Sequence, residues 1–491
     1  MTNDRSGVLP LERVPTHVAG LDDLLEGGLF KGGVYFIQGR PGVGKTTLAN
    51  QVCFGHLRHG GRALYVTLLA ESHARMLQHL RTHSYFDSRA VSREIVYISP
   101  FRELEEQGLK GLISLVGREA ARHKASLLVL DGLVTATDTA ESEQEMRRFV
   151  HALQAFGTLH GCTVLLLTSN HERQERAERT MVDGIVHLTD KTFGPRTERR
   201  IQIHKFRGTR VVRGEHSFCI TDDGIVVYPR LESVAREAAD RDGERAFATT
   251  GLPGLDRMIS GGGVPEASAT LVAGPSGVGK TSLALSFLGA SRPSEPGLLL
   301  GFIESPARLR ARARRLGIPL EALEADGSAT LHRSPPDDHA LDQIGHDLLR
   351  AVDRHRARRL VVDGLGGFFE TPAYAERGLR FLRGLLDELR GRGVTSLFTV
   401  DTGGAIVERA DARADEIAST FDTIVALRFV RSPELVARRI MILKADGSDF
   451  DPSIRPFTLA DGRLTVEPAP GGGSTERTGP TADRSAPPAG R

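Results

Sequence analysis

The feature that most constrains the fold of this chain is the pattern Gly-x-x-x-x-Gly-Lys-Thr, which occurs twice. The first copy ends at Lys45 and Thr46, and the second ends at Lys280 and Thr281. Each copy follows an apolar run that predicts a strand and precedes a segment that predicts an amphipathic helix. This is the structural context of the phosphate-binding P-loop. The sequence therefore predicts two nucleoside-triphosphate sites, each on an α/β unit.

The residue types in these loops suit ATP and its Mg²⁺ ion. Glycines let backbone N–H groups turn inward on an anion, and the following helix adds the positive potential of its N-terminus. The lysine reaches the β- and γ-phosphates, and the threonine hydroxyl is a ligand for Mg²⁺. A glycine-rich turn that precedes a lysine by chance is the alternative, which two copies with matching flanks disfavour. The predicted ATP-binding residues are Gly39, Gly42, Gly44, Lys45, Thr46, Thr47, Gly274, Gly277, Gly279, Lys280, Thr281 and Ser282.

Two aspartates are candidates for the acidic anchor of the metal ion, the Walker B residue. Asp131 and Asp363 each end an apolar run that predicts a strand. They lie 86 residues (131 − 45) and 83 residues (363 − 280) after the two P-loop lysines. An Asp at the end of a strand is common, but the repeated position favours the metal-binding role. The predicted metal site therefore consists of Thr46 with Asp131 in the first copy and Thr281 with Asp363 in the second.

Two glutamates are candidates for orienting the water that attacks the γ-phosphate. Glu71 and Glu304 each follow the second predicted strand of their copy, and both precede a serine. This places them at the carboxyl edge of the predicted sheet, where ligands bind in open α/β folds. The alternative is that each glutamate caps the helix that follows it. We favour the catalytic role.

The whole chain has the organisation of a duplicated domain. Thr16 and Thr250 begin matching segments 234 residues apart (250 − 16), and the P-loop lysines are 235 apart (280 − 45). Alternating strands and helices predict the α/β class, with two tandem domains whose mostly parallel sheets are flanked by helices and end in antiparallel strands. The predicted organisation is a flexible N-terminus over 1–13, a first ATPase domain over 14–230, a linker over 231–245, a second ATPase domain over 246–467 and a disordered tail over 468–491.

Composition excludes several classes of partner. A formal net charge of +2 over 491 residues gives no reason to expect nucleic acid or a membrane surface. The three cysteines lack metal-ligand spacing, and an odd number argues against a disulfide framework. The sequence shows no leader-like apolar segment and no run of membrane-spanning length. We therefore expect a cytoplasmic protein.

The order of these motifs resembles the KaiC family, the double-domain circadian-clock ATPases of the RecA-like superfamily. The resemblance covers residues 14–465, and its more specific segments are Gly20-Leu21-Asp22, Lys205-Phe-Arg207-Gly-Thr and the stretch 218–224. It implies RecA-like P-loop domains, a homohexamer of two stacked rings with ATP between subunits, and slow ATP hydrolysis. It also implies autokinase and reverse reactions in the second ring and an unknown protein partner in signalling.

The resemblance also assigns residues that act on a neighbouring subunit. Lys205 and Arg207 match the family segment that reaches the γ-phosphate of the adjacent site, which makes them catalytic candidates. In the second copy the matching positions are Lys444 and Asp446, so Lys444 remains a predicted ATP-binding residue while the arginine is replaced by an acid. A carboxylate there repels a triphosphate unless it turns away or pairs with Lys444.

This sequence departs from the family pattern at two further places. The family pairs two glutamates after its second strand, whereas this chain has Ala70-Glu71 and Ile303-Glu304. The family's phosphorylated Ser-Thr pair falls on Ala418-Ser419, which leaves Ser419 as the candidate phosphosite, or Thr420 after a one-residue slip. These departures favour a KaiC-like regulatory ATPase over a clock protein as such.

Two other functions stay open on the sequence. One is a RecA-like recombinase or DNA-stimulated ATPase, for which segment 171–179 occupies the place of a DNA-binding loop. Its arginines and glutamates alternate in equal number, which suits a salt-bridged helix better than a phosphate track. The arginine-rich segment 308–315 is likewise typical of a solvated helix face. The other function is a scaffold that assembles with ATP and does not hydrolyse it, which the missing glutamates allow.

Overall fold

The computed structural model describes ten segments of the chain, and together they form two compact α/β units. The described segments are 11–68, 73–169, 181–193, 196–235, 246–334, 340–369, 377–402, 412–431, 435–460 and 462–468. The first unit consists of Met1–Arg236, Asp337–Asp347 and Thr371–Leu385, and the second consists of Glu237–Pro336, Leu348–Glu370 and Leu386–Arg491.

The first half of the chain alternates strands and helices before it ends in consecutive strands. Its strands are β1 (Arg13–Val14), β2 (Leu29–Phe30), β3 (Val34–Gly39), β4 (Ala63–Thr67), β5 (Ile95–Ile98), β6 (Leu127–Asp131), β7 (Thr163–Thr168), β8 (Gly184–Phe193), β9 (Arg196–Phe206), β10 (Glu215–Thr221) and β11 (Gly224–Tyr228). Its helices are α1 (Leu21–Leu24), α2 (Lys45–Arg58), α3 (His73–Leu80), α4 (Phe101–His123), α5 (Leu133–Thr139), α6 (Glu143–His160) and α7 (Leu231–Val234).

The second half repeats this order. Its strands are β12 (Phe247–Ala248), β13 (Val264–Pro265), β14 (Ala269–Gly274), β15 (Gly297–Gly301), β16 (Ala329–Arg333), β17 (Arg359–Asp363), β18 (Thr395–Asp401), β19 (Thr423–Arg431), β20 (Val436–Ala445), β21 (Arg455–Ala460) and β22 (Arg463–Val466). Its helices are α8 (Pro253–Asp256), α9 (Lys280–Gly289), α10 (Pro306–Arg315), α11 (Leu320–Ala325), α12 (Leu341–His355), α13 (Gly378–Gly391) and α14 (Ala412–Ser419), with a 3₁₀ turn at Leu365–Phe368.

Each half builds one mixed sheet, which in the described residues has nine strands. The orders are β11-β10-β9-β8-β3-β7-β6-β4-β5 and β16-β15-β17-β18-β14-β19-β20-β21-β22. In both sheets the P-loop strand is the central one of the nine, six strands are parallel, and the last three strands continue antiparallel. The predicted fold class is confirmed, including the antiparallel end of each domain. The physical reason is connectivity, because crossover helices impose parallel pairing and short turns impose antiparallel pairing.

The helices after the P-loops differ from the prediction. They are predicted to be amphipathic, but α2 is buried at Leu48–Phe54 and α9 is buried at Ser282–Leu288. In the first half the cause is the antiparallel end of the sheet, which returns over the outer side of α2. In the first half, Gln51 of α2 donates from Nε2 to the Ile225 carbonyl at 3.1 Å and accepts from the Ile225 N–H at 2.7 Å.

Other elements deviate at their ends. The helix predicted from Leu109 to His123 begins earlier, at Phe101, and bends at Gly108, where φ is 59°. Arg13 already lies in β1, and Leu231 at the start of the predicted linker is buried in α7. Residues 236–245, the disordered tail after 468 and the first ten residues lie outside the described residues, so those predictions stay predictions.

Candidate nucleotide-binding sites

Both P-loops adopt the same backbone conformation at the start of their helix. Gly44 has φ 115° and Gly279 has φ 116°, in the left-handed region that L side chains disfavour. A Cβ at Gly44 would lie 3.0 Å from Ile220 Cδ1, and one at Gly279 would lie 2.8 Å from Phe457 Cε1. Backbone conformation therefore requires glycine at both positions, and side chains of the terminal strands pack close to each of them. This geometry starts each helix at the P-loop lysine, with its free N–H groups directed into the loop.

The two lysines bridge their own loops. Lys45 Nζ donates to the carbonyls of Gly39 at 2.7 Å and Arg40 at 3.0 Å. Lys280 Nζ donates to Gly274 at 2.8 Å and to the following proline carbonyl at 2.9 Å. Burial lowers the pKa of Lys45, and the nearby Asp131 carboxylate opposes that shift. Each ammonium therefore lies at the mouth of its glycine-rich loop, within the reach of a bound phosphate.

Beneath each loop, the P-loop threonine contacts the predicted Walker B aspartate. Thr46 Oγ1 donates to Asp131 Oδ2 at 2.8 Å, and Thr281 Oγ1 donates to Asp363 Oδ2 at 3.0 Å. A hydroxyl and a carboxylate at this spacing are the hard oxygen ligands that Mg²⁺ prefers. In the described part of the chain no group of three or more His, Cys, Asp or Glu could hold a metal ion. The residues thus fit Mg²⁺ that is bound through one carboxylate and the phosphates of ATP.

Each aspartate has a second hydroxyl partner that the sequence analysis missed. Tyr65 on β4 donates to Asp131 Oδ2 at 2.8 Å, whereas Thr399 on β18 donates to Asp363 Oδ1 at 2.6 Å. Both hydroxyls lie on strands that neighbour the Walker B strand, which only the strand order of the sheet reveals. A third missed residue near the chemistry is Asp401, whose Oδ2 lies 3.5 Å from Lys280 Nζ.

The predicted catalytic glutamates are only partly placed. Glu71 lies outside the described residues. Glu304 follows Gly301, which lies opposite Asp363 in the sheet, so it is at the predicted edge. Its Oε1 accepts from Arg312 Nη2 of α10 at 2.6 Å, and the residue at the N-cap of α10 is Ser305. Glu304 thus forms an ion pair across the first turns of α10, which differs from the capping alternative.

Lys205 and Arg207 lie at the end of the sheet away from the P-loop of the same chain. Lys205 pairs in register with Ile185, near the start of β8, and the Arg207 N–H donates to the Asp183 carbonyl at 2.8 Å. The Asp183 side chain in turn accepts from the N–H of Val34, the first residue of β3. Burial and the adjacent Arg207 lower the pKa of Lys205. The structure therefore does not bring these two residues to their own P-loop.

The second half repeats this arrangement with altered charge. The Asp446 N–H donates to the Asp422 carbonyl at 2.8 Å, as Arg207 does to Asp183, so Asp446 holds the place of Arg207. Lys444 Nζ lies 2.7 Å from Asp446 Oδ2 and also donates to the Phe421 carbonyl at 2.7 Å. The pairing with Lys444 that the sequence analysis gave as one alternative is the one observed.

Comparison with known proteins agrees with the duplicated site. A family model described as "ATPase: KaiC" matches residues 14–232 and again 248–470. The chain belongs to the KaiC ATPase family. Its two halves are KaiC-type ATP-binding domains, and the resemblance seen in the sequence is confirmed.

Curated relatives extend this similarity over almost the whole chain. The chain is 26% identical to the circadian clock oscillator protein KaiC of Picosynechococcus sp. over 482 residues, which is 95% of this chain and 92% of the relative. It is 26% identical to the circadian clock oscillator protein KaiC 1 of Synechocystis sp., across 93% and 88% of the two chains. It is 25% identical to the circadian clock oscillator protein KaiC of Synechococcus elongatus, across 94% and 90%.

The candidate phosphosite of this KaiC-family protein lies at the end of α14. Ser419 is exposed and its Oγ donates to the Glu416 carbonyl at 2.7 Å, while Thr420 Oγ1 donates to the Ile417 carbonyl at 2.7 Å. The segment leads to Asp422, which accepts from the N–H of Ala269 at the start of β14. Ser419 therefore lies at the opposite end of the sheet from the P-loop of the same chain.

The arginine-rich helix α10 is matched by acidic partners. Arg310 pairs with Glu324 at 2.7 Å, Arg312 pairs with Glu304 at 2.6 Å, and a third pair joins Arg314 to Glu321 at 3.8 Å. Such pairing favours a salt-bridged face over a phosphate-binding track. Segment 170–180, which contains the other candidate for nucleic-acid binding, lies outside the described residues. Among the helices that the structure describes, none is long and apolar enough to cross a membrane.

Proposed function

We propose that this KaiC-family protein is an oligomeric, Mg²⁺-dependent ATPase of the regulatory type, with one ATP site in each half. The observation that carries this proposal is the repeated hydrogen bond between P-loop threonine and Walker B aspartate, at 2.8 Å in the first half and 3.0 Å in the second. In both halves the glycine-rich loop binds the phosphates, and the lysine at its mouth contacts the terminal ones. When bound, Mg²⁺ neutralises charge on the phosphate oxygens.

The position of Arg207 supports a site that is completed by a second copy of the chain. Arg207 is exposed and lies at the end of the sheet opposite its own P-loop. A closed ring of copies brings that end of one sheet against the P-loop end of the next. An arginine supplied in this way stabilises the charge that develops on the γ-phosphate. We therefore assign Lys205 and Arg207 to the ATP site of a neighbouring copy, and a homohexamer is the assembly that the family resemblance implies.

We further propose that the first half carries most of the hydrolysis. Its neighbouring-copy segment offers a guanidinium, whereas the second half offers a carboxylate held by Lys444 at 2.7 Å. The Lys444–Asp446 pair has little net charge, so it gives the γ-phosphate far weaker stabilisation than an arginine does. The second site is then a nucleotide-binding site with low turnover.

The experiment is a comparison of steady-state ATP turnover among matched pairs of variants. We expect Arg207→Ala and Glu71→Gln to lower turnover by roughly tenfold or more, because each removes a group that acts at the first site. Asp446→Ala and Glu304→Gln are the second-half counterparts, and we expect each to keep about half of the turnover or more. If Glu304→Gln abolishes turnover while Arg207→Ala leaves it unchanged, the second half carries most of the hydrolysis and the proposal is wrong.

A second candidate activity is weak Ser/Thr autophosphorylation at the second site. It is supported by the exposed hydroxyl of Ser419 at the end of α14, on the edge of the sheet that faces a neighbouring copy in the proposed ring. Glu304 at the second site is the candidate for accepting the hydroxyl proton. Intact-mass spectrometry after incubation with Mg²⁺-ATP tests this, with Ser419→Ala and Thr420→Ala as controls. No added phosphate on residues 411–424 would exclude the autokinase.

The two alternatives from the sequence predict different outcomes in the same assays. A recombinase or DNA-stimulated ATPase requires turnover that rises with single-stranded DNA and that salt suppresses. A scaffold that only assembles with ATP requires nucleotide binding without phosphate release. Turnover that is independent of DNA and sensitive to Arg207→Ala separates our proposal from both.

A further inference from the structure

The first nucleotide site rests on buried polar groups that the second site lacks. Tyr65 on β4 is fully buried, and its hydroxyl donates to Asp131 Oδ2, the same oxygen that accepts from Thr46. Its ring packs at a tilt of 36° against that of Tyr97 on β5, with ring centroids 5.2 Å apart. The Tyr97 hydroxyl donates to Asn50 Oδ1 at 2.9 Å, and Asn50 Nδ2 donates to the Thr46 carbonyl at 2.8 Å. Tyr65 thus contacts the aspartate of the Thr46–Asp131 pair, and Asn50 contacts the threonine.

The corresponding positions in the second half are apolar. Tyr65 lies two residues before the position opposite Asp131, and Leu299 lies two residues before the position opposite Asp363. In the pairing with the next strand, Tyr65 faces Tyr97 and Leu299 faces Leu331. Counted from the P-loop lysines, Asn50 and Leu285 are both the fifth residue onward. Two tyrosines and an asparagine in the first half thus correspond to three leucines in the second.

Leucine in the second half shows that this layer of the fold does not need a polar side chain. A buried hydroxyl costs free energy unless it is hydrogen-bonded. Hydrogen bonds must therefore offset the cost of burying the two tyrosines and the asparagine of the first half. Burial, with the Asp131 charge next, raises the pKa of Tyr65 well above its usual value, so the hydroxyl keeps its proton and donates to the carboxylate. The hydrogen bond thus fixes the rotation of the Asp131 carboxylate toward Thr46.

A further buried oxygen lies at the same place. Thr67 faces Asp131 directly in the register of β4 and β6, and it is 4% exposed. Among the described residues its Oγ1 has no hydrogen-bond partner, and the second half has Gly301 in this position. A buried hydroxyl without a partner beside a carboxylate suits a water molecule on a metal ion. The first site therefore has a buried hydroxyl beside its aspartate at a position where the second site has a glycine.

We infer that Tyr65 is a positioning residue for Mg²⁺ at the first site, holding the Asp131 carboxylate in the orientation that binds the hydrated ion together with ATP. This inference rests on the proposed ATP-binding function and deepens it. It predicts that removal of the Tyr65 hydroxyl weakens the Mg²⁺-dependent part of ATP binding at the first site. Groups that orient a ligating carboxylate typically change metal affinity by about tenfold to a hundredfold when removed.

The test measures binding rather than turnover, at one site at a time. Lys280→Ala isolates the first site, and a fluorescent ATP analogue is titrated in EDTA and at stepped Mg²⁺ concentrations. In this background we expect Tyr65→Phe to raise the Mg²⁺ concentration for half-maximal binding by about tenfold, with the affinity in EDTA unchanged. Tyr35→Phe is the matched control, because it removes another buried tyrosine hydroxyl, which accepts from the Phe30 N–H and does not contact Asp131. We expect its Mg²⁺ dependence to equal that of the parent.

A reciprocal variant tests the same rule at the second site. In a Lys45→Ala background, Thr399→Val removes the neighbouring hydroxyl from Asp363 without a tyrosine being involved. We expect a severalfold loss of Mg²⁺ affinity there as well.

Three outcomes would overturn the inference. The first is that Tyr65→Phe changes the Mg²⁺ concentration for half-maximal binding by less than twofold. The second is that Tyr65→Phe lowers the affinity for the ATP analogue equally in EDTA and in Mg²⁺. The third is that Thr399→Val leaves the Mg²⁺ affinity of the second site unchanged. A different result would contradict the proposed function itself. That result is undiminished Mg²⁺-dependent ATP binding by a chain that carries both Lys45→Ala and Lys280→Ala.

Discussion

Arg207 and Asp446 hold the same place in their two sheets and carry opposite charges. In each case the backbone N–H donates to the carbonyl of an aspartate, Asp183 or Asp422, whose side chain binds the first N–H of the P-loop strand. The equivalence therefore rests on hydrogen bonds as well as on alignment of two sequence segments. In the proposed ring, one residue at this place decides whether the ATP site of a neighbouring copy receives a guanidinium or a neutralised ion pair.

A mixing experiment tests whether Arg207 acts on another copy. Arg207→Ala chains keep a complete P-loop, and Lys45→Ala chains keep Arg207, so each has what the other lacks. We expect each variant alone to be nearly inactive and a mixture of the two to regain a measurable fraction of turnover, because mixed oligomers join an intact P-loop to an intact arginine. Mixing Arg207→Ala with a Lys45→Ala/Arg207→Ala chain is the control and should regain none. Recovery in that control, or no recovery in the first mixture, would refute action between copies.

At the residue scale, the sequence predicts the parts of the site that belong to motifs. The P-loop glycines, lysines and threonines and the two aspartates follow from spacing, and the structure places threonine and aspartate within 3.0 Å in both halves. Tyr65 and Thr399 could not be predicted, because a hydroxyl in a strand gives no local signal of its partner. They approach the aspartates from opposite neighbouring strands, which only the strand order reveals.

At the scale of elements, the terminal strands hold the P-loop helix from outside. Gln51 makes two hydrogen bonds to the backbone of Ile225 in β11, and the side chain is 7% exposed. In the second half the equivalent residue is Ser286, whose Oγ bonds within its own helix to the Ser282 carbonyl at 3.1 Å. The first half thus ties α2 to the end of its sheet through one polar side chain.

Removal of that side chain should destabilise the first half selectively. Gln51→Leu leaves a buried N–H and a buried C=O of Ile225 without partners, each of which costs about 1–3 kcal/mol. We expect the free energy of unfolding of the first half to fall by about 2–4 kcal/mol. Ser286→Ala, the matched change in the second half, should cost about 1 kcal/mol or less. Denaturant unfolding monitored by hydrogen exchange within each half measures both free energies, and an equal effect of the two changes would contradict this role of Gln51.

The amphipathic prediction for α2 and α9 was wrong for a reason that lies at this scale. Periodicity reports one buried face, but α2 is covered on one side by the parallel strands and on the other by a strand far along the chain. Ile225 contacts Gln51 across 174 residues of sequence. Strand positions were easier to predict, because continuous apolar runs such as β6 and β17 report burial on both faces of a parallel sheet.

At the scale of the whole molecule, the proposed ring makes assembly the property that we expect to be most sensitive to ATP. In that proposal Lys205 and Arg207 of the first half serve a neighbouring ATP, whereas Lys444 in the second half is already paired with Asp446. We therefore expect Lys45→Ala to weaken ATP-dependent oligomerisation more than Lys280→Ala does. Light scattering with and without Mg²⁺-ATP measures this for both variants. Assembly that does not depend on ATP would contradict the proposal that ATP binds between two copies of the chain.

The central claim is that both halves bind Mg²⁺-ATP through their own P-loop and threonine–aspartate pair. The most direct measurement is the number of nucleotides bound per chain at saturating Mg²⁺-ATP, by equilibrium dialysis of the intact protein and its variants. We expect two for the unaltered protein, one each for Lys45→Ala and Lys280→Ala, and none for the double variant. Two nucleotides per chain in either single variant, or one in the unaltered protein, would contradict the account.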